Sequence, residues 1–253
     1  MNVQDMREWI EWHLYRCHFD HIHLIDNESA FDLKSLCAEY GNAITYSQVY
    51  GIPRQYQIYD NYINSISKSK WVIPIDDDEY LSVSGEFDSV HSALEYYEAK
   101  FPEIEMFAVR WKHLFPSKFH VNRTSPVLSY CIEENLTLAG MFQPIGDRGV
   151  KTFVKRTGKV HYEETRENPN GGHVPIHERA SYAIGFDGRH VTGIGFDDFP
   201  IDIAEEKLRI LHCRYKGPDD WKRKYIDNHP IRISDNIPHE KKFLFTLLLN
   251  KLP

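Results

Sequence analysis

From Val3 onward, Met6, Trp9, Ile10, Leu14 and Cys17 recur at the spacing of one helix face with charged residues between them, which predicts an amphipathic opening helix. Residues 21–25 then read as a strand ending at Asp26 and Asn27, residues 31–40 as a short helix stopped by Gly41, and residues 43–49 as a second strand. Tyr56, Tyr59, Ile63 and Ile66 mark a helix that leads into the short apolar run 71–75. Asp88 is placed to cap a helix whose core face is Val90, Leu94, Tyr97 and Phe101, and residues 106–111 read as the next strand. Strand and helix alternating in this way predict an α/β fold, a mostly parallel sheet flanked by helices. Between Lys112 and Gly149 the alternation gives way to turn formers and aromatics, a composition suited to loops that contact a substrate. Residues 150–155 alternate basic with apolar or small side chains, so a strand there projects Lys151 and Lys155 to one side. Residues 203–211 fit a helix or a strand, and the lysine-flanked apolar run 241–251 reads as a docked terminal helix. That run is too short to cross a bilayer, and peripheral membrane contact is its alternative reading.

The run 71–75 passes directly into Asp76, Asp77, Asp78 and Glu79. Four consecutive carboxylates at the end of a buried strand must face water or a cation, because burial without a partner would cost each its hydration. In an open α/β sheet the carboxyl ends of the strands border the ligand crevice. Strand alternation puts Asp76 and Asp78 on one side and Asp77 and Glu79 on the other, so the first pair forms a hard-oxygen site for Mg²⁺ or Mn²⁺. The plain alternative is a solvated acidic turn. Lys151 likewise either meets phosphate oxygens or guards an exposed sheet edge. His18, His21 and His23 lie close in sequence but lack the carboxylate or cysteine that would complete a tetrahedral zinc set.

Composition narrows the partners. The chain has 253 residues, 42% of them hydrophobic and 26% charged, and a net charge of −7, which fits one globular domain and does not point to nucleic acid. Cys17, Cys37, Cys131 and Cys213 are scattered without a C-x-x-C pair, the pattern of reduced thiols, and the first residues are too polar for a secretory signal. The expected location is therefore cytoplasmic, or peripheral to the inner face of a membrane. The Asn-x-Ser/Thr sequons at Asn27, Asn122 and Asn135 then have no glycosylation role.

In order along the chain stand Glu8-Trp9-Ile10-Glu11-Trp12-His13, a strand ending in Asp26-Asn27, Trp71 running into Asp76-Asp77-Asp78-Glu79, Arg110-Trp111, the segment 150–155, His173, and His212 followed by Arg214 and Lys216. This series resembles the GT-A fold glycosyltransferases of the family-2-like and family-92-like group, over roughly residues 5–225. The resemblance implies one glycosyltransferase domain, with residues 1–111 binding a nucleotide sugar, 112–225 binding the acceptor, and 226–253 forming a tail. It implies inverting transfer of a sugar, from a uridine diphosphate donor, to a hydroxyl of a glycan or other acceptor in polysaccharide or glycoconjugate synthesis, with Mn²⁺ or Mg²⁺ on the diphosphate. On this reading Asp76, Asp78 and His212 hold the metal, and Asp76, Lys151, Asp26 and Asn27 bind the donor. Glu134, Asp187, Asp197 and His173 are the candidate bases. A catalytically silent relative that binds a nucleotide sugar or a glycan is the alternative, and a phosphohydrolase built on the acid cluster is a third. The family's first strand has no counterpart in residues 1–7. The expectation is therefore a slot in the sheet filled from elsewhere in the chain, from a second copy in a homo-oligomer, or from residues ahead of Met1.

Overall fold

The computed structural model describes residues 3–50, 55–83, 85–114, 126–132, 149–163, 173–180, 182–185, 188–191 and 207–213. The opening helix α1 (Val3–Glu11) runs on through one π-helical turn, Trp12–Arg16, and buries Met6, Trp9, Ile10 and Leu14 as the periodicity predicts. Strand β1 (Ile22–Asn27) pairs in parallel with β2 (Ile44–Val49), in register from Ile22 opposite Ile44 to Asn27 opposite Val49. Helix α2 (Leu33–Ala38) joins them. Asp32 caps it by accepting the Ser35 N–H, and Gly41, at φ 57, lets the chain leave it. The segment 22–49 is thus the β–α–β unit that its pattern announced. Helix α3 (Gln55–Asn61) continues through a second π-helical turn, Tyr62–Ile66, and buries Ile63.

Among the described residues the larger sheet has seven strands: β3 (Trp71–Val72), β4 (Glu79–Val83), β5 (Met106–His113), β6 (Val150–Lys155), β9 (Ala183–Ile184), β10 (His190–Val191) and β11 (Leu208–His212). A separate small hairpin joins β7 (Val160–His161) to β8 (Ile176–His177). The fold is mixed α/β with helices against a multi-stranded mixed sheet, which corrects the mostly parallel sheet expected. Parallel pairing holds for β1 with β2, β5 with β11 and β5 with β9. By contrast β5 with β6, β3 with β6, β4 with β11, β9 with β10, and β7 with β8 are antiparallel. A helical crossover returns a strand parallel, as α2 does between β1 and β2. Two further expectations shift. Helix α4 (Val90–Lys100) is capped by Ser89 and Ser92 in a reciprocal capping box, not by Asp88, because the serine hydroxyls reach the free N–H groups of that first turn. Strand β6 is interior, between β3 and β5, so Lys151 does not guard an edge.

Residues of the π-helical turn that ends the opening helix, and Cys17 just after it, tie the first unit to the larger sheet. The Trp12 Nε1–H donates to the Leu81 carbonyl at 2.6 Å, and the Cys17 thiol to the same carbonyl at 2.9 Å. His13 is fully buried; its Nδ1–H donates to the Trp9 carbonyl at 2.8 Å and its Nε2 accepts the Leu81 N–H at 3.1 Å. Those two partners fix one neutral tautomer, and burial lowers the pKa to about 4. Glu8 reaches the other way, accepting the N–H groups of Val127 (2.6 Å) and Leu128 (2.9 Å) at the start of α5 (Val127–Ile132). All four cysteines are free and buried. Replacing Glu8 with Ala leaves both helix-start donors without a carboxylate, at a cost of about 1–3 kcal/mol. The variant should melt roughly 4–8 °C lower in a calorimetric scan, and an unchanged melting temperature would show that this cap carries no stability.

Candidate functional site

The acidic segment is a turn, not a strand: the Glu79 N–H donates to the Asp76 carbonyl at 3.1 Å, and β4 begins at Glu79. The side chains therefore do not alternate as a strand would place them. Asp77 is exposed, whereas Asp78 and Glu79 are buried and Asp76 stands at the boundary with its side chain 38% exposed. The turn is held from α1, where the Trp9 Nε1–H bridges the carbonyls of Asp76 (3.1 Å) and Glu79 (2.8 Å).

Beneath the turn lies Lys151, almost fully buried on β6, whose Nζ donates to Asp76 Oδ2 at 3.0 Å and sits 3.4 Å from Glu79 Oε2. Glu79 Oε2 also accepts the Asp76 N–H at 2.9 Å. The other Asp76 oxygen accepts from the Tyr59 hydroxyl at 3.2 Å and from Gln55 Nε2 at 3.1 Å, both on α3. Burial alone would lower the Lys151 pKa, but Glu79 and Asp76 more than reverse it, so the ammonium stays charged. Burial raises Asp76 and Lys151 overcomes that, leaving this partly exposed carboxylate below its ordinary pKa as the ionised partner. Glu79, fully buried, is pushed up to about 8 by burial against the pull of Lys151. It is the member that holds a proton towards neutral pH.

Alongside this triad, His212 at the end of β11 places Nε2 at 3.5 Å from Asp78 Oδ1, and both groups are buried. Pairing of β11 with β4 sets His212 opposite Glu79, and the Cys213 N–H donates to the Asp78 carbonyl at 2.7 Å. The indole of Trp111 lies between two imidazoles, with ring centroids 4.7 Å from His212 and 4.9 Å from His173. His173 is held by its carbonyl, which accepts the Thr152 hydroxyl at 2.7 Å. Burial first, then Lys151, lowers its pKa to about 4, so its ring is neutral near pH 7.

The structure thus assembles Asp76, Asp78, Lys151, His173 and His212 from four separated stretches of sequence. Asp26 lies at the carboxyl end of β1, buried, its carboxylate accepting the Ser29 N–H at 2.9 Å and the Tyr46 hydroxyl at 2.8 Å, with exposed Asn27 beside it. These bonds make Asp26 a strand-end anchor as well as part of the wall shared with Asp76. Glu134, Asp187 and Asp197 lie outside the described residues. Sequence reasoning did not find Glu79, Tyr59, Gln55 or Trp9 as members. The four-residue spacing of Gln55 and Tyr59 on one helix face was the signal for two of them, and Glu79 needed the turn. His21 and His23 share Thr45 Oγ1, and His23 stacks on Tyr62, so these imidazoles are held by β2 and the turn after α3.

Among the described residues no three His, Cys, Asp or Glu groups stand together as a ready metal site. Asp78 with His212 offers one hard oxygen and one imidazole nitrogen side by side, while Asp76 is engaged by Lys151. A divalent ion that takes most of its shell from phosphate oxygens and water needs no more than such a pair from the protein. No protein-family model and no curated protein matches the chain. No helix among the described residues is long and apolar enough to cross a membrane.

The Glu79 pKa makes a pH-dependence with a definite sign. A carboxyl that binds its proton more tightly when folded stabilises below its unfolded pKa of about 4.5 and loses that contribution as pH rises to about 8. His13 and His173 act oppositely, losing stability as pH falls from 6.5 towards about 4, so the interval from 6.5 to 8 is free of them. Across that interval the melting temperature of the wild type should fall relative to that of Glu79→Gln. Parallel curves for the two proteins would remove the raised pKa.

Proposed function

We propose that this chain is a metal-dependent glycosyltransferase that moves a sugar from a nucleoside diphosphate donor to an acceptor hydroxyl. The observation that carries the reading is the buried Lys151 holding Asp76 at the rim of the crevice, next to the Asp78–His212 pair. In glycosyl transfer the diphosphate gains negative charge as the sugar leaves, and a bound Mn²⁺ or Mg²⁺ supplies the neutralising charge there. Asp78 and His212 are the residues that would hold the ion, with Mn²⁺ favoured by the imidazole. Asp76, oriented by Lys151, Tyr59 and Gln55, is suited to accept from donor hydroxyls or from a metal-bound water.

Lys151 acts here by positioning carboxylates; its ammonium faces Asp76 and Glu79 and is only 3% exposed. Neutral His173 is the described candidate for accepting the acceptor's proton, and its pKa of about 4 makes it a weak base that is always unprotonated near pH 7. That weakness favours a second reading, a nucleotide-sugar or glycan binder without transfer. The acceptor belongs to polysaccharide or glycoconjugate synthesis on the first reading.

Mn²⁺ and uridine diphosphate added together at about a hundredfold excess over Kd should stabilise the protein by about 2.7 kcal/mol, a rise of roughly 5–10 °C that neither ligand gives alone. Asp78→Asn should remove that joint shift, whatever its own effect on stability, and exposed Asp77→Asn should keep most of it. A joint shift surviving in Asp78→Asn would refute the metal assignment. Screening nucleotide sugars for Mn²⁺-dependent nucleotide release then separates transferase from binder, with release absent for the binder.

A further inference from the structure

Within residues 55–66, which form α3 and its π-helical turn, only Ile63 is buried. The inner side of this segment, Tyr59, Tyr62 and Ile63, lines a cleft of about 1130 Å³ that also borders β1 and residues 71–77. A short helix with so little apolar backing depends on its polar contacts to stay docked. Those contacts fall into two groups. Towards the acidic turn, Gln55 Nε2 and the Tyr59 hydroxyl donate to Asp76 Oδ1. Towards the β7–β8 hairpin, Asn64 pairs with Val160 in both directions: its Oδ1 accepts the Val160 N–H at 2.9 Å and its Nδ2 donates to the Val160 carbonyl at 2.7 Å. One turn earlier, Asp60 Oδ1 accepts the Tyr162 N–H at 2.7 Å, and the Tyr59 ring meets the Tyr162 ring edge-on at 5.4 Å.

The remaining contact to the hairpin runs through His161. Its Nδ1 lies 2.6 Å from Asp60 Oδ2 and its Nε2 lies 3.0 Å from Glu163 Oε2. Both partners are carboxylates, which when ionised only accept, so both nitrogens must carry hydrogen for the two contacts to be hydrogen bonds; only the imidazolium does. The neutral ring has one N–H and faces one of the two carboxylates with a bare nitrogen. Asp60 cannot swing away from it, because its other oxygen is held by Tyr162. Loss of the proton therefore removes one bond and turns the other from charge-assisted to neutral, which roughly halves its strength. Of the remaining neighbours, Ile176 lies opposite His161 in the hairpin, and His177, the titratable group of β8, is turned away to donate to the Lys155 carbonyl. The bond to Asp60 first, and then that to Glu163, raises the His161 pKa above its ordinary 6.5. The clamp is thus fully present below pH 6.5 and is lost as pH rises through the raised value.

We propose that α3 is a pH-sensitive arm over the acidic turn: protonated His161 clamps it to the hairpin by bridging Asp60 and Glu163, and loss of that proton loosens the arm together with the Gln55 and Tyr59 bonds that orient Asp76. Tyr59 and Asp60 are adjacent, so whatever frees Asp60 acts directly on the residue that reaches Asp76. His161 is a positioning residue here, acting on the turn through α3. This rests on the two contacts of one imidazole and is independent of the sugar-transfer reading.

The test follows the full chain by nuclear magnetic resonance across the titration of the His161 ring, with His161→Gln measured at each pH to cancel the intrinsic pH-dependence of exchange. Below the His161 midpoint, amides of residues 59–66 should exchange about two- to fivefold more slowly in the wild type than in His161→Gln, the range of an exposed ion pair. Above the midpoint the ratio should fall towards one. Asp60→Asn should lower the His161 midpoint towards 6.5. The Tyr59 ring resonances should shift at the His161 midpoint in the wild type, with that step missing in His161→Gln. An exchange ratio that stays constant through the titration would overturn the proposal, as would a His161 midpoint unmoved in Asp60→Asn. A Tyr59 step of equal size in the wild type and His161→Gln would assign it to Glu79 instead, and would equally overturn the link to the acidic turn.

Discussion

A buried ammonium organises this protein. Lys151 is placed by the ladders of β6 with β3 and β5 and has lost nearly all its water, so it must be met by carboxylates. Asp76 and Glu79 meet it, and their spacing requires the chain between them to turn. That turn buries Asp78 towards His212 and sends Asp77 to solvent. One desolvated charge thus decides which of four adjacent acids are drawn inward and which one faces solvent.

The turn is held from the other side by α1. Trp9 bridges its two carbonyls, and His13, Trp12 and Cys17 engage the backbone of Leu81. A helix whose apolar stripe reads as simple core packing also supplies the polar tips that fix the acidic segment, the double use that tryptophan and histidine allow. The same helix lines the cleft between β1 and the segment 71–77, so the acidic turn and that cleft share one support.

The candidate site residues partly come together: Asp76, Asp78, Lys151, His173 and His212 are neighbours, with Asp26 and Asn27 lining the cleft. Their detailed roles shift with geometry. Lys151 faces carboxylates where phosphate oxygens were expected, and Asp78, expected to face solvent, is buried. The Lys151 expectation took the side to which β6 points from alternation, but which neighbours wait on that side depends on strands distant in sequence.

The sequence by itself determined what is local. Helical periodicity marked α1, α2, α3 and α4, the apolar runs marked β1, β2 and β5, and four adjacent acids marked a place that had to be explained, because spacing and desolvation act within a few residues. Only the tertiary structure decided strand direction, the antiparallel return of β6 and β11, and the pairing of Lys151 with Glu79. Those follow from which edges meet and which charges are buried together, and such free energies belong to pairs of segments that the chain brings together from 40 or more positions apart.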